Sequence, residues 1–322
     1  MTPSSEEIAR AAAVLREGGL VAFPTETVYG LGADGSSPAA VRRLFRVKGR
    51  PPDHPVILHA ASVNHVPEWV GGMPGYSVSL AGECWPGPLT LVLPRSPRVP
   101  DEVTGGLDTV GIRVPAERTA QALLRAFGGA IAAPSANRFG GVSPTTADAV
   151  RAALGDDVEV VLDGGPSRLG VESTIVDCSG PAPSILRLGG LSRERIEEII
   201  GHPIPVLDRG EIRAPGTLAK HYSPAARVVV VDDADLARRA TEQTSGGART
   251  GVIASKLPDD LPPGALILGA PADADDYARS LYQWLRDADV AQLDVVLAVT
   301  PAEVGIGAAV ADRLRRAAGG GA

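Results

Sequence analysis

The strongest constraint on this chain is a break. Residues 202–225, HPIPVLDRGEIRAPGTLAKHYSPA, hold four prolines and no hydrophobic period, so neither a helix nor a strand can run through them. On either side the apolar spacing is regular. The 322 residues also exceed the size at which one hydrophobic core stops growing, about 250–300 residues. Two folded parts are expected, 1–201 and 226–322, joined by a linker long enough to cross the surface of the first.

In the first part, 4–17 reads as a helix, with Ser4 or Ser5 as cap, acids in the first turn and Gly18-Gly19 as stop. Residues 37–47 read as another, with Ser37 as cap and Pro38 at its first position. Helices are also expected at 117–127, 145–153 and 192–200, the last capped by Ser192. Strands are expected at 20–25, 56–61, 89–94, 110–115, 130–136, 158–163, 173–178 and 184–189. Strands outnumber helices without regular alternation, which predicts a mixed α+β sheet and not a doubly wound one. After the linker the order becomes β-α-β-β-α-β-α, the pattern of a smaller, parallel α/β domain.

Composition excludes several classes. No apolar run approaches the roughly 20 residues that span a bilayer, and the first residues carry acids where a signal peptide carries bases. Two cysteines, Cys84 and Cys178, make neither a disulfide framework nor a zinc knuckle, so a reducing, cytoplasmic setting is expected. The net charge of −7 is unlike that of a protein that coats nucleic acid. A local basic patch does occur: Arg42, Arg43, Arg46, Lys48 and Arg50 lie together with no acid between them.

Four segments could carry chemistry. FPTETVYGLG (23–32) sets Thr25, Glu26, Thr27 and Tyr29 beyond a strand, on a turn with glycines; it equally fits a turn with satisfied hydroxyls, and it is not a Walker A string. VKGRPPDHP (47–55) sets Lys48 and Arg50 two apart beyond a helix. In extended backbone they share a face and can converge on a polyphosphate, or else they form a solvated basic helix end. AAPSANRFGGVSPT (132–145) offers Ser135, Asn137 and Ser143 with backbone N–H groups at Gly140-Gly141, suited to phosphate oxygens or to an ordinary polar loop. GVESTIVD (170–177) adds Ser173 and Thr174. Arg113 and Arg187, each in an apolar strand, need anionic partners if buried. There is no HExxH, no metal-ligand cluster and no carboxylate pair spaced for glycosidic chemistry. Many donors and few general bases suit nucleotidyl transfer, where positioning and charge stabilisation do most of the work.

FPTETVYGLG, KGRP, CWPGPLTLVL (84–93), TVGIRVP (109–115), PSAN with SPT after it, ESTIVD and ILRLG together resemble the YrdC-like threonylcarbamoyl-AMP synthases. HYSP (221–224) and GIGAAVADRLRRAA (305–318) resemble the longer form with a C-terminal domain. The resemblance implies a twisted, mixed α/β sheet of YrdC-like type with a second, smaller Rossmann-like α/β domain. It implies synthesis of threonylcarbamoyl-AMP and pyrophosphate from L-threonine, bicarbonate and ATP, with Mg²⁺ on the phosphates and no protein-held metal. Lys48 and Arg50 would be the catalytic cations. His54, Thr109, Ser135, Asn137, Ser143, Arg187, His221 and Tyr222 would join them around ATP. Thr27, His59, Arg113, Ala133 and Ser173 would hold threonine, Arg113 on its carboxylate. A separate transferase would carry the group to the adenosine beside the tRNA anticodon, and no membrane is implied.

The linker departs from the usual G-M-K-Y-R-H-Y-A-P: here it reads GTLAKHYSP (216–224), with Lys220 where arginine is usual. Linkers of this kind fold over the site as a gate. Two rivals remain. A non-catalytic RNA-binding module is favoured by the five cations at 42–50 and opposed by the net acid. The hydrogenase-maturing carbamoyltransferases with a YrdC-like domain need zinc-finger cysteines that this chain lacks.

Overall fold

A computed structural model describes residues 2–207 and 222–319, and no helix among them is long and apolar enough to cross a membrane. The chain divides into two compact units, Met1–Phe139 with Ser143–Arg168 and Glu172–Thr217, and Leu218–Ala322 with the short pieces Gly140–Val142 and Leu169–Val171.

The first unit is built on a nine-stranded mixed sheet. Its strands are β1 (Val21–Phe23), β2 (Gly30–Asp34), β3 (Leu58–His59), β4 (Leu89–Pro94), β5 (Thr109–Arg113), β6 (Ile131–Ala132), β7 (Val160–Val161), β8 (Thr174–Asp177) and β9 (Ser184–Arg187). They run in the order β7-β1-β2-β6-β3-β5-β4-β8-β9. Parallel pairs (β1 with β7, β3 with β5, β4 with β8) interrupt antiparallel ones, so the sheet is mixed as the element order predicts. Around it lie α1 (Ser5–Arg16), α2 (Pro38–Lys48), α3 (Gly75–Cys84), α4 (Asp101–Thr104), α5 (Arg118–Phe127), α6 (Ala147–Leu154) and α7 (Arg193–Ile200). The main core holds Leu31, Val41, Leu44, Leu58, Leu91, Ile112 and Val150. A second cluster packs Ala11, Leu15 and Leu123 onto Val21 and Phe23.

The caps follow from local chemistry. Ser4 accepts from the Glu7 N–H while Glu7 returns a bond to the Ser4 N–H, a full capping box. Ser37 and Ser192 cap α2 and α7 as their sequence positions predict.

Two local readings need correction. The glycines of FPTETVYGLG do not serve a turn: Gly30 and Gly32 lie inside β2. A Cβ on Gly32 would sit 2.8 Å from the Ile131 side chain and 2.9 Å from Phe23, so the residue is small to let neighbouring side chains close over the strand. Nor are Lys48 and Arg50 on extended backbone. Lys48 is the last residue of α2, and Gly49 turns the chain in the left-handed region at φ 66°.

The second unit carries β10 (Arg227–Val231), α8 (Leu236–Ser245), β11 (Thr250–Ile253), β12 (Ala265–Gly269), α9 (Ala274–Val290), β13 (Val295–Val299) and α10 (Ile306–Ala317). All four strands pair in parallel in the order β10-β13-β11-β12. This is the β-α-β-β-α-β-α sequence order, folded as a small α/β layer structure. Most of the linker, 208–221 with Lys220 and His221, lies outside the described residues.

Candidate active site

The first unit gathers its buried polar groups at strand ends. β3 and β5 are parallel neighbours with His59 opposite Arg113, so the two side chains leave the same face of the sheet. Arg113 is 3% exposed and closes β5. Its Nε donates to Gly87 O at 3.1 Å, and its Nη1 donates to Thr27 Oγ1 at 2.9 Å. Its Nη2 stands 2.7 Å from Glu26 Oε1, in electrostatic contact without an aligned N–H. The other Glu26 oxygen accepts from the Ala116 N–H at 3.1 Å. The Thr25 hydroxyl donates to Val28 O, so Thr27 donates to Thr25 Oγ1, 2.7 Å away, while it accepts from Arg113. The anion that the buried arginine requires is therefore Glu26.

His59 is buried against Phe23, with ring centroids 6.0 Å apart, and its Nδ1 has no hydrogen-bond partner among the described residues. Burial first, and the Arg113 charge second, push its imidazole down to about 3, so it is neutral at physiological pH.

A second group forms where α2 ends. Lys48, 3% exposed, donates to the carbonyls of Ser135, at 2.5 Å, and Asn137. Burial, then Arg50 and Arg138, hold its ammonium well below the usual lysine range. Arg50 donates to Pro55 O at 2.7 Å and lies over the Phe45 ring. His54 stands edge-on to Phe139. Asn137 is buried and donates to Arg138 O at 2.7 Å. The Phe139 N–H bonds back to Lys48 O, so α2 and the 132–139 segment are stitched from both sides.

A third group joins 143–145 to β8 and β9. Ser143, fully buried, donates to Glu172 Oε1 at 2.7 Å. Arg187 donates from Nε and Nη2 to Ser173 O, at 3.1 and 2.8 Å, and from Nη2 to Ser173 Oγ at 3.1 Å. That hydroxyl is also 2.8 Å from Thr90 Oγ1. The backbone ties the groups together: Tyr29 N–H reaches Pro144 O, Ala136 N–H reaches Tyr29 O, Gly30 bridges Ser135, and Ala60 N–H reaches Arg113 O.

The expected residues are thus partly assembled. Thr27, His59 and Arg113 form one cluster, Lys48, Ser135 and Asn137 another, and Ser173 and Arg187 a third. Ala133 spends its N–H on Ile57 O. Thr109 opens β5, four residues from Arg113 and so about 13 Å along the strand. Tyr222 belongs to the second unit, where it stacks on Tyr282 with centroids 5.7 Å apart and lies under the Arg313 guanidinium at 5.0 Å. Glu172 carries no expected role in the sequence reading and Glu26 is only one of the polar groups of its segment, with no ligand assigned to it, yet both are buried and lie against expected site residues. Their signal was present: each stands beside a hydroxyl residue (Thr25, Thr27, Ser173) in a quoted motif. The basic patch thins out on folding. Arg42 and Arg43 pair with Glu102 and Glu159, and Lys48 and Arg50 are buried. Among the described residues no three His, Cys, Asp or Glu side chains converge as a metal cage.

Residues 13–189 match the family model described as telomere recombination, and residues 191–319 match the one described as the threonylcarbamoyl-AMP synthase C-terminal domain. A threonylcarbamoyl-AMP synthase of Pyrococcus abyssi is 44% identical over 320 residues, covering 96% of this chain and 93% of that one. One from Bacillus subtilis is 39% identical over 331 residues, covering 99% and 95%. The crystal structure of P. abyssi Sua5 complexed with L-threonine superposes with a TM-score of 0.93 at 41% identity, covering 99% of this chain and 96% of that one.

Proposed function

The chain belongs to the threonylcarbamoyl-AMP synthase family, and from that premise we propose that it converts L-threonine, bicarbonate and ATP into threonylcarbamoyl-AMP, pyrophosphate and water. The observation that carries the reading is Arg113, a buried guanidinium in register with the neutral, open-handed His59 and bonded to Thr27. A relative with this fold binds L-threonine. Here the threonine carboxylate would take the Arg113 fork and its hydroxyl and amine the Thr27, His59 and Ser173 groups, with Ala133 at the wall.

The chemistry follows in two steps. The threonine ammonium and bicarbonate give N-carboxythreonine with loss of water and of one proton to solvent. A carbamate oxygen then attacks the α-phosphorus of ATP, the bond to the β-phosphate oxygen breaks, and pyrophosphate leaves. Lys48 and Arg50 would bear on the phosphates, within a group of His54, Ser135, Asn137, Ser143 and Arg187, with Thr109 toward the nucleoside and His221 as a further expected contact, while Tyr222 packs within the second unit. Lys48 would exchange its two backbone carbonyls for phosphate oxygens, whose negative charge favours the ammonium and opposes the lowering of its pKa by burial. Ser143 and Glu172 have hard oxygens that would suit a Mg²⁺ carried on the ATP phosphates, and that ion would supply neutralisation of charge on pyrophosphate. A dry site protects both the carbamate and the mixed anhydride.

In this reading 1–201 is the catalytic domain, 202–225 the gate and 226–322 the small second domain. The product passes in the cytoplasm to a separate transferase acting on tRNA. Pyrophosphate release by the purified chain tests it: release should require ATP, Mg²⁺, L-threonine and bicarbonate together and collapse in Lys48→Ala. Release without threonine overturns the acceptor. No turnover together with tight, salt-dependent RNA binding favours the RNA-binding module.

A further inference from the structure

We infer that Glu26 sets the charge selectivity of the amino-acid pocket: by cancelling Arg113 it makes the pocket accept a zwitterion and turn away a simple anion. The inference rests on the reading of Arg113 as the threonine-carboxylate site.

The argument begins with what Arg113 already holds. A guanidinium has five N–H donors. Gly87 O and Thr27 Oγ1 take one each, from Nε and Nη1, and Nη2 faces Glu26 at 2.7 Å. N–H capacity remains on both Nη1 and Nη2, which is the fork a carboxylate uses. The cation is thus fixed in place before any ligand arrives, with partners from two separate stretches of chain, 26–27 and 87. Fixing it in advance removes side-chain entropy cost from binding.

The same contact changes what the pocket will accept. Arg113 and Glu26 are both 3% exposed, so water screens neither. A lone buried guanidinium would draw any carboxylate, because each anion would neutralise it. Paired with Glu26 it carries no net charge, and an entering monoanion leaves one negative charge uncompensated in a poorly screened place. An amino acid brings its ammonium with its carboxylate and leaves the balance unchanged. The neighbouring groups leave the balance even: Thr27 and Ser173 are hydroxyls, His59 is a neutral ring, and the Arg187 cation bonded to Ser173 is matched by the Glu117 carboxyl that interacts with Glu26. Glu26 is not itself placed as a proton acceptor. One of its oxygens lies against Arg113 and the other accepts the Ala116 N–H, so it acts through Arg113 and its role is to position and to balance.

The test compares three ligands by calorimetry on the full chain: L-threonine, its α-hydroxy analogue 2,3-dihydroxybutyrate (an anion) and L-threoninamide (a cation). Wild type should bind threonine at least about tenfold more tightly than either singly charged analogue. In Glu26→Gln, which keeps the shape and the acceptor for Ala116, the preference for threonine over the anion should shrink at least about tenfold. Glu26→Asp, which keeps the charge, should restore it. A purely structural role would weaken all ligands alike and leave the ratio unmoved, and that result overturns the proposal. If Glu26→Gln does not fold, the wild-type series decides alone, since equal affinity for threonine and its hydroxy analogue also overturns it. Failure of wild type to bind threonine at all would instead overturn the reading of the pocket, a distinguishable outcome.

Discussion

Both units bury arginine, and they do so in opposite ways. In the second unit Arg313 and Arg316 lie on α10 and share Asp312 of the same helix, one residue and four residues away. Arg313 also lies over the ring of Tyr222. In the first unit Arg113 draws Thr27 from 86 positions away and Gly87 from 26, with Glu26 beside them, and Arg187 reaches back 14 positions to Ser173. The ion pairs that Asp312 makes with Arg313 and Arg316 stay within one helix. A cation held by two distant segments, as Arg113 is, fixes both, and here one of them carries the Thr27 hydroxyl. Burial of charge alone is therefore a poor marker of a site. Where the partners come from is a better one.

The largest effect should separate the two. Arg113→Ala leaves Glu26 buried without its cation, a loss of about 3–5 kcal/mol in denaturant unfolding. It should also lower kcat/KM for threonine by ~100-fold or more, about 2.7 kcal/mol of transition-state stabilisation. Asp312→Ala should match the stability loss, about 3–5 kcal/mol, because Arg313 and Arg316 are 0% and 6% exposed at the side chain. Turnover per folded molecule should stay within about twofold. If Asp312→Ala abolishes turnover in protein that is demonstrably folded, the comparison breaks, and the second unit belongs to the machinery.

Acid should then distinguish the units. His59 is held neutral with its pKa lowered to about 3, against an unfolded value of about 6.5. Between those values the unfolded chain binds a proton that the folded one does not, so stability rises with pH there and falls on acidification. From pH 6.5 to 4 the loss is roughly 3 kcal/mol at most, and His59→Asn should remove that slope. Asp312 behaves otherwise. The Arg313 charge and the Arg316 hydrogen bond and charge lower its pKa against the opposing effect of burial. Its contribution is fully present above the unfolded value of about 3.9 and is lost only as pH falls through the lower folded value. A stability–pH curve for Asp312→Asn should therefore run parallel to wild type between pH 6.5 and 5. A wild-type curve flat over that interval would count against the neutral His59.

The contrast also explains which parts could be read in advance. The second unit's order of strands and helices was legible because each element is long enough to show its own period, from β10 to α10. Ser4, Ser37 and Ser192 were legible as caps because capping is local chemistry. In the first unit β3, β6 and β7 have two residues each, too few for any pattern, and exist because distant partners pair with them. No element was assigned to 62–88, where α3 begins after Pro74 without a side-chain cap. The motif residues were visible as polar groups at strand ends. The Glu26 contact with Arg113 was not, since nothing local links the loop before β2 to the end of β5. The close fit of Gly32 beneath Phe23 and Ile131 is of the same kind: spacing suggested a turn, and tertiary packing decided otherwise.

The smallest expected effect concerns Tyr222, where the two regions compete for one residue. Family likeness sets it with the nucleotide, while its ring is 1% exposed, stacked on Tyr282 and covered by Arg313. A ring in that position contributes one aromatic pair and one cation–π contact beyond its burial, together about 1–2 kcal/mol. Tyr222→Leu keeps most of the apolar volume and removes both contacts, so thermal unfolding should register a loss of that size. Tyr222→Phe keeps both contacts and removes only the hydroxyl, so any change in KM for ATP in this variant reports a polar contact with nucleotide and not packing. The expected outcome is a stability loss in the leucine variant and an unchanged KM for ATP in the phenylalanine variant. A KM that rises tenfold in Tyr222→Phe, with stability intact, would move Tyr222 from the packing of α9 and α10 into the nucleotide site, and the division between the units would have to be redrawn at that residue.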